Sequence, residues 1–347
     1  MPLPITSFSL SGSSDELQNS ISELKPGYVN VSHPESGDRN LIRVAYHDDH
    51  ARGILSTLAN NRFYLYQHAE GQSQFVRADV IPQCWGQVAD GKLLVNEDNL
   101  VYSYTPPKVG SLETKLLVIF SSIYSSIFAS GLDRHFTENF PKARAYMTPE
   151  TGILRIADFG GVVGGFYLPT TADPEAGKKV QRLIDDVASR HGIKRDAITL
   201  YGASKGATAA VYHGMTGNFR FVAVDPIVSD EHYETKYRDS HFTGSGIFPI
   251  SKQALFANIV EEALTTGSAS NGHGRWVVIC SERSPQYKYI DEILIQKMKS
   301  NMFFLNSLHP DITDHPHVAP KTMTWAIMFL NMSLNAFPIE AGLKAAM

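Results

Sequence analysis

Ser204 sits at the centre of Gly202-Ala203-Ser204-Lys205-Gly206, a Gly-x-Ser-x-Gly pentapeptide, with the strand-like run Ile198 to Tyr201 before it and the helix-like run Ala207 to His213 after it. That context is what a nucleophilic serine needs. On a tight strand-to-helix turn, glycines two residues to either side let the backbone close, and the hydroxyl stands clear of the sheet. The helix that follows aims the positive end of its dipole at the same spot, where negative charge develops during attack on a carbonyl. A serine hydroxyl is activated by a base beside it, itself oriented by a third group, so the pentapeptide implies a histidine and a carboxylate brought close by the fold.

The elements that must hold such a turn are legible as apolar runs. Past residue 111, strand-like runs at Leu116 to Phe120, Ile153 to Phe159, Ala197 to Tyr201, Arg220 to Val224, Trp276 to Cys280 and Met302 to Leu305 alternate with longer amphipathic stretches. This is the grammar of a parallel sheet covered by helices. Pro174 to His191, Lys205 to His213, Ser251 to Leu264, Tyr287 to Lys299 and Pro320 to Leu334 read as helices, with Gly192, Gly214 and Gly217 at stops and Pro320 in a first turn. Residues 229–274 are too long for a simple connection and read as an insertion with one helix and a glycine-rich exit, where a lid would sit.

Before residue 111 the pattern differs. Short runs at Tyr28 to Ser32, Leu41 to His47, Arg62 to Gln67, Gln74 to Ile81 and Leu93 to Tyr104 have poor helical periodicity and suit antiparallel strands. The chain is therefore expected to divide into a small β-rich N-terminal domain, residues 1–110, and a catalytic domain, residues 111–347. Thr105-Pro106-Pro107-Lys108-Val109-Gly110 serves as the linker.

The elbow and the alternating pattern resemble the α/β-hydrolase superfamily over roughly Leu112 to Ala336. The expected fold class is α/β, a mostly parallel sheet with helices on both faces. Gly-Ala-Ser-Lys-Gly followed by a strand ending Val224-Asp225-Pro226 also resembles the glycan acetyltransferases of the accessory Sec export system. What the resemblance implies is a serine esterase or acyltransferase. Its oxyanion would be held by the N–H of Lys205, directly after the nucleophile, and by that of Ser122 or Ile123 after an earlier strand. Ser121, Ser122, Ser125 and Ser126 read equally as the polar start of a helix, and the Lys205 side chain as a solvated one.

The implied order is nucleophile, acid, then a histidine on the loop after the last strand. His309, His315 and His317 fit that loop. His317 ranks first because His-Val-Ala-Pro runs directly into the final helix. His315 ranks second, and Asp-His-Pro-His also reads as a plain polar turn. For the acid, the implied position falls near Ser284 in Cys280-Ser-Glu-Arg-Ser-Pro, a departure from the pattern. Glu282 is the nearest carboxylate and ranks first; Asp225, ending the preceding strand, ranks second, with a turn or capping role before Pro226 as its plain reading.

Two other classes compete. Tyr201 and Lys205 spell Tyr-x-x-x-Lys, the proton-relay pair of short-chain dehydrogenases, with Ser189 at a matching distance upstream. Tyr201 nevertheless ends a strand-like run, Ser189 lies in an amphipathic stretch, and no Gly-x-Gly-x-x-Gly loop opens a strand-to-helix turn upstream; Gly160 to Gly165 is the nearest glycine cluster. The third class is a non-catalytic scaffold on a hydrolase fold, since fold alone does not give function.

Composition bounds the rest. A formal charge of -4 over 347 residues offers no basic surplus for nucleic acid or anionic lipid. Cys84 and Cys280 lie far apart without Cys-x-x-Cys spacing. No His-Glu-x-x-His appears, and His47, Asp48, Asp49 and His50 read as a solvated turn, so no metal and no cofactor is assigned. The start of the chain has neither a basic head nor a sustained apolar stretch, and no run approaches the ~18 apolar residues of a membrane span. A cytoplasmic location is expected. The expected partner is a small-molecule or glycan ester or thioester, with the N-terminal domain binding substrate, recruiting a protein partner or mediating self-association.

Overall fold

The computed structural model describes residues 3–108, 114–244 and 246–347. The chain opens with a four-stranded sheet made of β1 (Ile5–Ser9), β2 (Tyr28–Ser32), β3 (Phe63–Ala69) and β4 (Gln72–Arg77), in the order β1-β2-β4-β3. β1 and β2 pair parallel, and parallel neighbours need a crossover, which α1 (Ser14–Leu24) supplies. Its start is written in the sequence as a capping box between Ser13 and Glu16.

Leu41 to His47, expected as a strand, is instead α2 (Leu41–Ala45), and α3 (Asp49–Asn60) follows at once. Caps decide the matter. The Asn40 side chain accepts from the Arg43 N–H at 3.1 Å and the Asp48 carboxylate from the Ala51 N–H at 2.8 Å. The His47 to His50 stretch is thus a helix start. Leu93 to Tyr104 does not join the small sheet either. β5 (Leu94–Val95) and β6 (Val101–Thr105) belong to the large one, and of the linker expected at 105–110, Val109 and Gly110 lie outside the described residues.

The large sheet adds β7 (Lys115–Phe120), β8 (Thr151–Ile156), β9 (Ile198–Ala203), β10 (Arg220–Val224), β11 (Trp276–Cys280), β12 (Phe303–Ser307) and β13 (Gly342–Ala346). Its nine strands run β13-β12-β11-β10-β9-β7-β8-β6-β5, parallel throughout except where β6 meets β5 and β8. It is the mostly parallel α/β sheet expected, with helices on both faces.

Side chains alternate between two layers, as the pleat requires. Leu116, Val118 and Phe120 of β7 face one cluster, with Leu183 and Val187 of α4 (Ala176–Arg190) and Ala209 and Ala210 of α5 (Lys205–Thr216). Leu117 and Ile119 face the other, with Phe329 and Leu330 of the last helix. Burial on both faces is why these strands read as continuous apolar runs instead of alternating ones.

Two helical expectations shift. Within 229–274, α6 (Glu231–Tyr237) is followed by irregular chain and then α7 (Lys252–Thr265), whose Phe256, Ile259 and Val260 are buried in the sheet's own cluster. α7 therefore covers the sheet, and does not stand over it as a lid. The last helix starts early: α8 (His315–Lys321) carries Pro316 in its first turn and Pro320 inside, and α9 (Met323–Leu334) completes it.

The small sheet and its helices are not a separate ball. Leu17, Val31, Leu41, Leu55 and Phe75 share one apolar cluster with Val162, Phe166, Ile227, Phe242 and Phe248 of the larger unit.

Candidate active site

The elbow is built as the pentapeptide implies. Ser204 has φ 55° and ψ -121°, a strained conformation for a non-glycine residue, between the end of β9 and the start of α5. A Cβ at residue 202 would lie 2.0 Å from Gly206 carbonyl atoms, and one at residue 206 would lie 2.5 Å from the Phe120 oxygen. Both glycines are there because strand and helix meet this closely. The Ser204 N–H donates to the Val224 carbonyl at 3.0 Å, tying the turn to β10.

One strand over, Asp225 follows β10 at φ 51° and is 1% exposed. Its Oδ2 accepts from the His315 Nδ1–H at 2.7 Å, and His315 Nε2 in turn accepts from the Ser204 hydroxyl at 2.7 Å. The bond to Asp225 fixes the tautomer, leaving the Nε2 lone pair for the serine. His315 owes its position to the cap before it, because extended Asp314 starts α8 and turns the first side chain of the helix into the cleft.

The first-ranked residues lie elsewhere. His317, two positions on, is exposed on another side of α8, its Nδ1 bonded to the Thr313 hydroxyl at 3.0 Å. Glu282 is exposed and paired with Asn306, accepting from the Asn306 Nδ2–H at 3.1 Å. His309 Nδ1 accepts from the Asp311 N–H. The structure thus brings together Ser204, His315 and Asp225, and not His317 or Glu282.

Sequence reasoning missed three supporting residues. Ser284 Oγ accepts from the Gln286 N–H at 3.2 Å and donates its single proton to Asp225 Oδ2 at 2.5 Å. A hydroxyl thus occupies the loop after β11 where the family resemblance leads one to look for an acid, and it bonds to the carboxylate that follows the neighbouring strand. Asp158 is the second. Lys205, expected as solvated, is fully buried, and its Nζ lies 2.7 Å from Asp158 Oδ2. Asp158 also accepts from the N–H groups of Gly165, Phe166 and Tyr167 at 3.0 to 3.1 Å, so the turn at the end of the glycine cluster is a carboxylate nest. The third is Tyr233 on α6, which lines the cleft; burial first, then the nearby Asp225 charge, pushes its hydroxyl well above the usual phenol value.

At the opposite wall, the Ser121 N–H is taken by the Tyr167 hydroxyl at 2.8 Å, while Ser122 and Ile123 line the cleft. The Ser122 hydroxyl donates to the Ala203 carbonyl at 3.1 Å and accepts from Asn139 Nδ2 at 2.5 Å, fixing that turn against the elbow. The Lys205 N–H belongs to the first turn of α5, whose amides have no partner within the helix. The cleft over Ser204 holds about 390 Å³.

Tyr201 and Lys205 form no relay. Tyr201 is buried inside β9 among Phe140 and Val222, whereas Lys205 turns to Asp158. Among the described residues no group of three or more His, Cys, Asp or Glu is arranged to hold a metal, and no helix is long and apolar enough to cross a membrane.

No family model and no curated protein matches this chain. Solved structures do. It is similar to an S-formylglutathione hydrolase from Agrobacterium tumefaciens, with 12% identity, a TM-score of 0.48, and coverage of 71% of this chain and 94% of that one. It is similar at 14% identity and TM-score 0.49 to the glycosylation-associated protein complex Gap123 of Streptococcus agalactiae, over 70% of this chain and 46% of that one. The serine hydrolase FphF of Staphylococcus aureus aligns at 9% identity and TM-score 0.45, over 68% and 96%.

Proposed function

We propose that this chain is a serine hydrolase that cleaves an ester or thioester through a covalent acyl-enzyme, with Ser204 as nucleophile, His315 as general base and Asp225 as the acid. The observation that carries this reading is the unbroken chain of 2.7 Å hydrogen bonds from the Ser204 hydroxyl through His315 to Asp225. His315 Nε2 removes the serine proton as Oγ attacks the carbonyl carbon, and Asp225 holds the ring and stabilises its cation. The tetrahedral oxyanion is received by the N–H groups of Lys205 and of Ser122 or Ile123, each donor contributing about 3 kcal/mol to lowering the barrier. Collapse returns the proton from His315 to the departing alcohol or thiol. Water, or an alcohol acceptor in the transferase variant, then attacks the acyl-enzyme by the same steps in reverse. Cys84 and Cys280 are both free thiols, which supports a reducing, cytoplasmic setting.

The test is labelling with a fluorophosphonate probe alongside turnover of an activated ester. Wild type is expected to label and turn over, and folded Ser204→Ala to do neither. A folded wild type that takes no label, or a Ser204→Ala protein that retains turnover, overturns the reading.

A further inference from the structure

The walls of the cleft carry a second message. Apart from the reacting groups, the walls are mostly apolar, with Ile123, Ala203, Val224, Tyr233, Pro316 and Ala319 beside the two small hydroxyl residues Ser122 and Ser125. No lysine or arginine is among the lining residues, and its one carboxylate, Asp225, bonds to His315 and Ser284 through Oδ2. An anionic substituent entering here would lose its water and meet no cation in the walls, only the Asp225 carboxylate, which is costly, whereas each methylene that enters is favoured.

Two of these walls are held by the N-terminal domain. Ile123 and Tyr233 both pack against the apolar cluster shared by the small sheet and the body. The loop that carries Ile123 is gripped farther along, where Asn40 Nδ2 donates to the Phe128 carbonyl at 2.6 Å and to the Ser130 hydroxyl at 3.0 Å, and the Arg43 guanidinium lies 4.7 Å over the Phe128 ring. The segment that carries Tyr233 is gripped by Arg52 of α3. That side chain donates to the Arg238 and Asp239 carbonyls at 3.2 and 3.3 Å and lies 4.7 Å over the Phe242 ring.

We propose that the site takes uncharged esters with an apolar acyl group, and that the N-terminal domain, by clamping the loops bearing Ile123 and Tyr233, sets which acyl group is accepted. The proposal rests on the reading of Ser204 as nucleophile. Arg52, Asn40 and Arg43 act through the loops they hold and are positioning residues.

The experiment compares kcat/KM for p-nitrophenyl acetate, butyrate, hexanoate, octanoate and hemisuccinate in wild type, Arg52→Ala, Asn40→Ala and Arg43→Ala. Fluorophosphonate labelling and thermal unfolding are followed in parallel. In wild type kcat/KM rises about fourfold per methylene until the cleft is full, and the hemisuccinate falls about tenfold or more below the butyrate. In the folded variants Ser204 still labels, while the octanoate-to-acetate ratio changes by about fivefold. A hemisuccinate turned over as well as the butyrate, or no gain with chain length, overturns the substrate class. Variants with the wild-type profile overturn the role of the domain; Arg43 is exposed, so Arg43→Ala gives this answer even if the other two fail to fold. A folded wild type that does not label defeats the nucleophile reading itself, a result distinct from a labelled serine with a flat profile.

Discussion

At the residue scale, the two histidines of Asp-His-Pro-His are separated by their contacts, Ser204 for His315 and Thr313 for His317. His315→Ala removes the group bonded to Ser204 and is expected to lower kcat by roughly 10⁴-fold or more, whereas His317→Ala, whose ring contacts Thr313, stays within about twofold of wild type. Asp225→Asn presents the wrong donor to Nδ1 and lowers kcat by about 10⁴-fold; Glu282→Gln leaves it unchanged. Ser284→Ala removes one charge-assisted bond to Asp225, about 1.5–3 kcal/mol, or roughly ten- to hundredfold in kcat with KM held. Ester kinetics on the five variants, each checked for folding, decide these. The elbow serine proposed as nucleophile was legible because its signal is local: two glycines, a strand and a helix within a dozen residues. The histidine proposed as base was legible only as a segment. Which histidine of the segment faces the cleft depends on where α8 begins, and Asp314 capping, not the apolar pattern, sets that. Which carboxylate meets His315 turned on side-chain direction, since Asp225 and Glu282 follow neighbouring strands and only Asp225 turns towards it.

At the element scale, the alternating runs past residue 111 gave the parallel sheet because strands buried on both faces cannot be disguised. The first hundred residues were read less well. Leu41 to His47 has the composition of a strand and becomes a helix through its cap, and α3 begins at an aspartate in a stretch that reads as a loop. The buried pair of Lys205 and Asp158 ties the start of α5 to the nest after β8. Lys205→Met leaves Asp158 charged and unpaired in the interior and is expected to destabilise the protein by about 3–5 kcal/mol in urea or guanidinium titration. The alternative, that Lys205 acts chemically, predicts lost turnover at unchanged stability. Gly206→Ala, with its new methyl 2.5 Å from the Phe120 oxygen, would open the elbow, lowering both the unfolding midpoint and the rate of labelling at Ser204.

At the scale of the whole molecule, His213, His135 and His241, the most strongly depressed histidines among the described residues, weaken the fold in acid. Burial holds His213 down at about 3 and His135 and His241 well below the ordinary histidine value. All three stay neutral in the fold and take up protons on unfolding, so the unfolded state binds more protons as pH falls. Stability is therefore full above the unfolded value of about 6.5 and declines below it, by up to about 1.4 kcal/mol per pH unit for each group, until the folded value is reached. Urea midpoints between pH 7 and pH 4.5 are expected to fall steeply, and a flat profile would show that these rings titrate as they do in water. The shared apolar cluster further predicts a single calorimetric transition for the two sheets. Its other consequence concerns how such a protein changes over time. The residues proposed to carry the reaction follow β9 and β10 and open α8, while the contacts that brace two walls of the cleft come from α2 with its cap and from α3. Reactivity and selectivity therefore sit on different stretches of one chain and can drift independently: exchanging the outer helices would give a new preference to an unaltered reaction centre.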